Sequence, residues 1–341
     1  MRSGRFGVRR LAVIAIALAV AAPASLASTA PASAEPGAPD VHIVNLNLLH
    51  GTFCPPETDG CQAPDRVELL AQELEDAGCP DVVGLQEINI NLAKLLEARD
   101  DTLCEGDYKI LFGGKPKSHD TERVLTTLPV KSTKVIDLHG GFRTASRALL
   151  GSPIGPIVIV VTHQEGDPET PGVTTCPTCV PPCQQDASVA QCQTTAAAAL
   201  ADEAGGAKAV RVLMGDFNVT STSARYQSLI SAGWVDSHLE AGNAECDPAT
   251  GTSCTSGRDD KSIEALKDPA ARESERIDFI FVKPPTRCTV AFDSAADGDG
   301  DFFGTGLFKA IPAVDGPGGL AWASDHTGVS ADLSCTKNAK E

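Results

Sequence analysis

Short apolar runs that end in a polar side chain recur along this chain of 341 residues. The clearest is VRVLMGDFNVT, residues 210–220, where the apolar run stops at Gly215 and Asp216 and Asn218 follow. Five other runs lead to residues of the same kind, namely Asn47, Glu87, His163, Asp278 and the pair Asp325 and His326. One such residue alone is an ordinary turn former, but six such places together predict strands that deliver polar groups to one site.

The pattern of apolar residues predicts more strands than helices. The segment IVIVVT at 157–162 is β-branched and almost fully apolar, which is typical of a strand in the middle of a sheet. Strands are predicted at 41–49, 81–87, 124–130 with an interruption at Pro129, 135–138, 157–162, 210–214, 277–282 and 329–333. Helices are predicted at 66–77, 90–99 and 196–204. No repeat of solenoid length occurs. We therefore predict one α/β domain in which two sheets pack together with helices outside.

The first residues are predicted to lie outside this domain. Four arginines precede an apolar run at 11–22 that is short for a bilayer span, and Ala32, Ser33 and Ala34 have the form of a cleavage site. This pattern predicts a secretory signal peptide at residues 1–34, a secreted mature chain and no later transmembrane segment. A cut after Ala27 and an uncleaved anchor are the alternatives.

Composition along the chain predicts the bounds of the folded domain and of its loops. A flexible lead-in is predicted at 35–40 and the folded domain at 41–336. Within the domain, residues 166–192 form a Cys- and Pro-rich insertion and residues 242–258 and 293–319 form loops, with a tail at 337–341. In the last loop, DGDGDFFG at 297–304 resembles a calcium loop but lacks its sixth-position glycine and twelfth-position glutamate, so an ordinary loop is the alternative.

The chain is acidic. The formal net charge is −17, and removal of the four leader arginines makes the mature chain more negative still. Such a surface is poor for non-specific attachment to DNA or anionic lipid. It does not exclude a polyanionic substrate, because a divalent metal and a local basic patch reverse the field inside a cleft.

The chain has 12 cysteines, an even number that indicates disulfides in an exported protein. Spacing favours four pairs, namely Cys54 with Cys61, Cys79 with Cys104, Cys246 with Cys254 and Cys288 with Cys335. The remaining four cysteines, Cys176, Cys179, Cys183 and Cys192, are predicted to pair among themselves. A four-thiolate zinc site is the alternative for this last group.

The polar set has a coherent chemistry. It contains four carboxylates, two histidines and two carboxamides, without a serine or cysteine nucleophile pattern. Carboxylate oxygens suit Mg²⁺, Mn²⁺ or Ca²⁺ rather than zinc, and a histidine beside a carboxylate suits proton transfer. The set therefore predicts hydrolysis by a metal-activated water. Because side chains two apart in an extended segment share a face, Asp216 and Asn218 are predicted to point into this site and Phe217 into the packing.

The motifs around these residues resemble those of a known family. The segments LNLLHG, DVVGLQE, VVTH, LMGDFN, RIDFIFV and SDH occur in the order seen in the endonuclease/exonuclease/phosphatase superfamily, over about residues 41–335. This group includes deoxyribonucleases, abasic-site endonucleases, bacterial sphingomyelinases and inositol-polyphosphate phosphatases. The resemblance implies a four-layer α/β/β/α sandwich of two packed, mostly antiparallel sheets with outer helices.

The resemblance also implies a divalent metal, Mg²⁺ or else Mn²⁺ or Ca²⁺. Glu87 is similar to the family's principal metal ligand. Asn47 resembles the carboxamide that helps to hold metal and phosphate, and Asp325 the acid that lies beside the metal.

Catalytic roles follow in the same way. Asp216 resembles the residue that positions or deprotonates the attacking water, and Asn218 the donor that steadies the pentacovalent phosphate. His326 resembles the histidine that contacts the phosphoryl oxygen or acts as acid or base, with Asp278 orienting its ring. His163 matches a second histidine of deoxyribonuclease-like and sphingomyelinase-like members.

The chain departs from the pattern of many members at DTERVLTTLPV, residues 120–130. There Glu122 resembles a deoxyribonuclease residue that orients the second histidine, here His163, although an ordinary surface glutamate is the alternative. Arg143 and Arg147 are candidates for phosphate contact, with solvated arginines as the alternative.

We expect a secreted, divalent-metal-dependent phosphodiester hydrolase, monomeric and of the endonuclease type, acting on nucleic acid. A sphingomyelinase or phospholipase-C-type enzyme that recognises a phospholipid head group, another phosphomonoesterase, and a non-catalytic binding protein are the alternatives. An exposed aromatic hairpin would favour a lipid substrate, and Phe302 with Phe303 is the candidate.

Overall fold

Thirteen strands and six α-helices make up the computed structural model, which describes residues 40–112, 121–140, 143–166, 172–292 and 305–337. The strands are β1 (Asp40–Asn47), β2 (Val82–Gln86), β3 (Lys109–Phe112), β4 (Arg123–Thr126), β5 (Val130–Asp137), β6 (Thr144–Ser152), β7 (Gly155–His163), β8 (Val210–Asp216), β9 (Val235–Asp236), β10 (Asp278–Lys283), β11 (Cys288–Phe292), β12 (Gly306–Phe308) and β13 (Gly328–Lys337). The helices are α1 (Asp59–Asp76), α2 (Ile90–Glu97), α3 (Val189–Asp202), α4 (Ala224–Ser231), α5 (Ser237–Glu240) and α6 (Ile263–Lys267).

The strands form two sheets. The first has the order β11-β13-β1-β2-β4-β3, with β12 also paired to β13, and the second has the order β5-β6-β7-β8-β10-β9. Each sheet has one parallel pair, β1 with β2 and β7 with β8, and the other pairs are antiparallel. In each parallel pair the carboxyl ends of both strands therefore reach the same edge of the sheet.

Three clusters of buried apolar side chains define the layers. The central cluster lies between the sheets and includes Ile43 of β1, Ile159 of β7 and Met214 of β8. The outer face of the first sheet packs against α1 and α2, and the outer face of the second packs against α3 and α4. Alternation explains this arrangement, since Leu213 and Met214 are neighbours in β8 and lie in different clusters. The predicted α/β sandwich of two mostly antiparallel sheets is confirmed.

Several predicted boundaries were wrong. The interruption predicted at Pro129 lies between two strands, but β4 already ends at Thr126, and Val130 begins β5, which also contains most of the strand predicted at 135–138. The helix predicted to begin at residue 196 begins at Val189, because the hydroxyl of Ser188 accepts a hydrogen bond from the backbone of Gln191 and so caps the helix. The last four residues of the predicted insertion at 166–192 are therefore the first turn of α3. The predicted loop at 293–319 contains strand β12.

All 12 cysteines are paired. The disulfides are Cys54–Cys61, Cys79–Cys104, Cys176–Cys179, Cys183–Cys192, Cys246–Cys254 and Cys288–Cys335. The four pairs predicted from spacing are confirmed. The four remaining cysteines pair among themselves as expected, which leaves no thiolate for the alternative zinc site.

Some predictions fall outside the described residues. These are the signal peptide, the lead-in up to residue 39, the calcium-like loop at 297–304 with Phe302 and Phe303, and the tail beyond Lys337. None of the helices in the described ranges combines the length and the apolar character that a bilayer crossing requires.

Candidate active site

Strand ends from both sheets meet at one cleft. Parallel pairing places Asn47 beside Gln86, and His163 beside Asp216, while antiparallel pairing places Asp278 opposite Asp216. The cleft has a volume of about 540 Å³. Its lining residues are His50, Phe53, Glu87, Arg143, His163, Glu165, Asp216, Asn218, Ser256, Gly257, Arg258, Asp260, Ile277, Asp325 and His326. Six of the nine predicted site residues line the cleft, and the other three, Asn47, Glu122 and Asp278, are buried.

Asn47 connects the two halves of the site. Its amide nitrogen donates to Oε1 of Glu87 at 3.2 Å and to Oδ2 of Asp216 at 3.0 Å. Its carbonyl oxygen accepts a hydrogen bond from the backbone of Leu49 at 3.1 Å, which sets the orientation of the amide. The side chain thus holds one carboxylate from each sheet, and its nitrogen rather than its oxygen faces them.

Backbone conformation turns two of these side chains toward the cleft. Glu87 and Asn218 have positive φ angles of 61° and 51°, which non-glycine residues adopt rarely and often at functional sites. Oδ1 of Asp216 accepts a hydrogen bond from the backbone of Asn218 at 2.8 Å, which closes a tight turn. The extended alternation predicted for Asp216 and Asn218 is therefore wrong, since a turn brings them together. Phe217 is buried in the packing as predicted.

A glycine before this turn allows β8 to approach β7 closely. Gly215 has a φ of 150°, and a Cβ atom there would lie 1.8 Å from the carbonyl oxygen of Thr162 on the neighbouring strand. The close approach brings β8 against the end of β7, where His163 lies. The glycine of the LMGDFN segment is thus required by the contact between two strands of the site.

His163 is held by an arginine. Nη1 of Arg143 lies 2.7 Å from Nδ1 of His163, and because a guanidinium only donates, this nitrogen of the ring accepts. The ring proton then belongs to Nε2, which lies 3.4 Å from the carboxylate oxygen Oδ2 of Asp216. Nδ2 of Asn218 lies 3.1 Å from the same nitrogen but is itself a donor, so this contact is not a hydrogen bond. Asn218 donates to the backbone carbonyl of Gln164 at 2.9 Å. Asp216 thus contacts both His163 and Asn218, and the three side chains form one polar cluster.

Glu122 is fully buried, which excludes the surface glutamate considered as the alternative. Its carboxylate accepts a hydrogen bond from the hydroxyl of Thr144, at the start of β6. Its role in orienting His163 stays a prediction. Of the two arginine candidates, Arg143 lines the cleft, whereas Arg147 pairs with Glu203 at 3.2 Å and does not line the cleft.

His326 and Asp278 form a buried pair. Nδ1 of His326 lies 2.8 Å from Oδ2 of Asp278, whose side chain is 0% exposed. Burial raises the pKa of Asp278 to about 6, although His326 opposes that rise. Burial alone would lower the pKa of His326, but the carboxylates of Asp278, Asp325 and Asp216 raise it well above its usual value. The pair therefore favours a protonated imidazole facing the cleft.

Two carboxylates lie where a hard cation would be stabilised. Burial raises the pKa of Asp325, His326 lowers it and the nearby carboxylate of Glu87 raises it further. Both side chains line the cleft, and their mutual repulsion is the kind that a divalent cation relieves. Asp216, Asp278 and His326 also have ligand atoms within 4.8 Å of one another. In this second group Nδ1 of His326 and Oδ2 of Asp278 are bonded to each other, whereas the carboxylates of Glu87 and Asp325 both line the cleft. Glu87 and Asp325 therefore suit a hard cation better.

Sequence patterns did not identify a buried arginine beneath the cleft. Arg66 in α1 is fully buried and donates to backbone carbonyls of Leu48, Leu49, Gly60, Cys61 and Ala323. It thus joins the segments that follow Asn47 and precede Asp325. Burial lowers its pKa to about 10, while Asp325 and Glu87 raise it. In sequence Arg66 has the form of a solvated charge at a helix start.

Arg258 was missed as well. It lines the cleft, its guanidinium lies 3.6 Å from the ring centre of Trp322, and it forms a buried ion pair with Glu273. It belongs to the predicted loop at 242–258, so this loop supplies part of the cleft wall. A lone arginine in a polar loop has no pattern that distinguishes it from a solvated residue.

The chain resembles known proteins both in sequence and in structure. Residues 44–326 match the profile of the Endonuclease/Exonuclease/phosphatase family, and this span covers most of the chain. No curated protein matches the chain.

Solved structures share the fold. A structure of D. rerio TDP2 complexed with single strand DNA product has a TM-score of 0.59 and 18% identity, covering 86% of this chain and 99% of that one. An endonuclease/exonuclease/phosphatase from Bacteroides vulgatus has a TM-score of 0.58 and 18% identity, covering 87% and 99%. A mannosyl-6-phosphatase from Bacteroides thetaiotaomicron has a TM-score of 0.58 and 17% identity, covering 86% and 99%. At such identities the likeness establishes the fold alone.

Proposed function

The chain belongs to the endonuclease/exonuclease/phosphatase family and is a phosphoester hydrolase, and within that class we propose that it is a secreted, divalent-metal-dependent phosphodiesterase that cleaves nucleic acid. The observation that carries the proposal is the charge of the cleft. Two arginines line the cleft, which is fewer than its five carboxylates, those of Glu87, Glu165, Asp216, Asp260 and Asp325. A phosphodiester anion needs a further cation to enter such a site.

Glu87 and Asp325 would hold this cation, with Asn47 fixing the position of Glu87. Mg²⁺ suits the oxygen ligands, and Mn²⁺ or Ca²⁺ suits them as well. When bound, the metal would neutralise charge on the phosphate and on the leaving oxygen.

The remaining residues divide the work of hydrolysis. Asp216, held by Asn47, orients the attacking water and accepts its proton. Asn218 and Nε2–H of His163 donate hydrogen bonds to the phosphate as it becomes pentacovalent. His326, kept protonated by Asp278, stabilises a phosphoryl oxygen or gives its proton to the leaving oxygen. Each group lies at the end of a strand or next to one, which fixes its position before substrate binds.

Secretion is part of the same proposal. Six disulfides among 12 cysteines support folding in an oxidising compartment, where such bonds persist. The predicted leader at residues 1–34 supplies the route. In a strain that produces the protein, we expect more of it in the culture supernatant than in the cell lysate. The N-terminus of the secreted form should lie near residue 35.

A substrate panel tests the proposed reaction. Purified protein is offered single-stranded DNA, double-stranded DNA, RNA, sphingomyelin and a sugar phosphate, each with Mg²⁺, Mn²⁺, Ca²⁺ or chelator. We expect cleavage of at least one nucleic acid, its loss with chelator, and its loss in Asp216→Asn. Hydrolysis of sphingomyelin or the sugar phosphate with no cut in any nucleic acid would refute the proposed substrate.

Metal binding has an independent test by calorimetric titration with Mn²⁺. Glu87→Gln should weaken binding at least tenfold, while Glu240→Gln, at an exposed position on α5, serves as the control. Equal Mn²⁺ affinity in the wild type and Glu87→Gln would contradict the assignment of Glu87.

A further inference from the structure

An exposed aromatic ring lies in the otherwise polar cleft. Phe53 is 63% exposed and lines the cleft beside the candidate catalytic residues. Among the cleft residues in the described part of the chain, Ile277 has the other large apolar side chain, and it is buried. Phe53 is therefore the main apolar surface that this cleft offers to a bound molecule.

The backbone around Phe53 is fixed. Cys54 donates a backbone hydrogen bond to the carbonyl of Gly51 at 3.2 Å, which closes a turn, and the disulfide to Cys61 ties the turn to α1. Gly51 has a φ of 68°, and a Cβ atom there would lie 2.4 Å from the carbonyl oxygen of Gly60. The turn therefore packs closely against Gly60. The carbonyl oxygen of Gly60 also accepts a hydrogen bond from Arg66 at 3.0 Å.

Phe53 is also linked to the proposed metal ligand. Its ring meets the ring of His50 edge-on, with 5.4 Å between centres and 65° between planes. The backbone nitrogen of His50 donates to Oε2 of Glu87 at 2.8 Å. Phe53 thus contacts His50, and His50 contacts Glu87, the residue proposed to hold the metal at the phosphate site.

We propose that Phe53 is a stacking platform for a nucleobase next to the scissile phosphate, an inference that rests on the nucleic-acid phosphodiesterase function proposed above. One fixed ring at the edge of a charged cleft suits a polar polymer with flat bases, because each base has a π-face. An acyl chain would need a continuous apolar surface, which the lining of this cleft does not provide. Base stacking of this kind contributes about 10- to 100-fold in affinity.

The test separates binding from cleavage. Two single strands of equal length are compared, one with bases and one in which tetrahydrofuran replaces every nucleoside. Affinity is measured by fluorescence anisotropy with Mg²⁺ in the Asp216→Asn background, alone and combined with Phe53→Ala, Phe53→Leu or Phe53→Trp. Turnover of the same strands is measured with Asp216 intact. Val314→Ala is the matched control, since Val314 is an apolar residue with 89% exposure that does not line the cleft.

We expect the base-bearing strand to bind about 10- to 100-fold more tightly than the abasic strand. Phe53→Ala and Phe53→Leu should remove most of this preference, and Phe53→Trp and Val314→Ala should keep it. An unchanged preference in Phe53→Ala overturns the proposal, and so does full retention in Phe53→Leu, which would indicate general apolar contact.

Two further outcomes separate this inference from the proposed function. If Phe53 confers a preference for bases but the wild type cuts no nucleic acid, stacking stands and the nuclease function fails. If the wild type cuts nucleic acid but the base-bearing and abasic strands bind with equal affinity, the function stands and stacking fails. A loss of sphingomyelin hydrolysis in Phe53→Ala, with unchanged strand binding, would assign Phe53 to a lipid substrate instead and overturn the proposal.

Discussion

The amide nitrogen of Asn47 lies 3.0 Å from Oδ2 of Asp216, so that a hydrogen bond joins the end of β1 in one sheet to the end of β8 in the other. The same nitrogen holds Glu87. The candidate active site is thus assembled across the interface between the two sheets, and its geometry depends on how the sheets pack.

Removal of this connection should impair catalysis more than stability. In Asn47→Ala, Asp216 and Glu87 lose a shared donor, and their carboxylates are free to move relative to each other. We expect a fall in kcat/KM of about 100-fold, the usual cost of a displacement of about 1 Å at a reacting centre. Asn243→Ala removes a carboxamide that bonds to the backbone of Thr305 at 2.6 Å and should leave kcat/KM unchanged. Equal losses in both variants would point to a general loss of folding.

The pair formed by His326 and Asp278 should be essential for turnover. Asp278→Asn preserves the shape of the side chain but removes the negative charge that stabilises the protonated ring. We expect kcat to fall by about 10²- to 10⁴-fold, as in other enzymes with a buried histidine–aspartate pair. The melting temperature should also fall, because removal of one partner of a buried charge pair leaves the other charge uncompensated. The kcat values are therefore compared at a temperature at which the variant is folded.

A second histidine–aspartate pair provides the control for that experiment. His42 of β1 is hydrogen-bonded to Asp332 of β13, and neither residue lines the cleft. Asp332→Asn should change the melting temperature and leave kcat unchanged. If Asp332→Asn lowered kcat as strongly as Asp278→Asn, the assigned role of Asp278 would have no support.

Arg66 should contribute to stability and to the shape of the site together. In Arg66→Met the carbonyls of Leu48, Leu49 and Gly60 lose a buried charged donor, for which we expect a decrease in the free energy of unfolding of about 3–5 kcal/mol. Urea denaturation measures this change. Arg99→Met is the control, because Arg99 pairs with Glu68 at the surface and such pairs contribute at most about 1 kcal/mol. A loss below about 1 kcal/mol in Arg66→Met would be inconsistent with a structural role.

Local features of the sequence predicted the strand ends, whereas features that depend on long-range contacts were not recognised. Strand ends could be recognised because alternation and β-branched runs are local, and so Asp216 and Glu87 were found. Arg66 could not be recognised, since its five carbonyl partners come from three separate segments of the chain. The turn at Asn218 was read as extended backbone because it depends on a hydrogen bond from the backbone of Asn218 to the side chain of Asp216, which the pattern of apolar residues does not reveal. Strand β6 was missed because TASRALLGS has no clear alternation.

Glu73 should make stability depend on pH. This residue of α1 is buried, and burial raises the pKa of its carboxyl from 4.5 to about 8, although Lys309 and Arg258 oppose that rise. Between pH 4.5 and about pH 8 the folded protein holds a proton that the unfolded chain has lost. Unfolding therefore releases a proton, and stability should fall as the pH rises through this window and level off above it.

Glu73→Gln removes this titration, so its advantage over the wild type should grow from pH 5 to pH 8 and reach the order of a few kcal/mol. Urea denaturation at pH 5, 6.5 and 8 measures the difference, and the subtraction cancels the other titrating groups that the two proteins share. Glu75→Gln, two residues along the same helix and exposed, should show no such growth. A constant difference between the wild type and Glu73→Gln across this range would show that Glu73 is ionised in the folded protein.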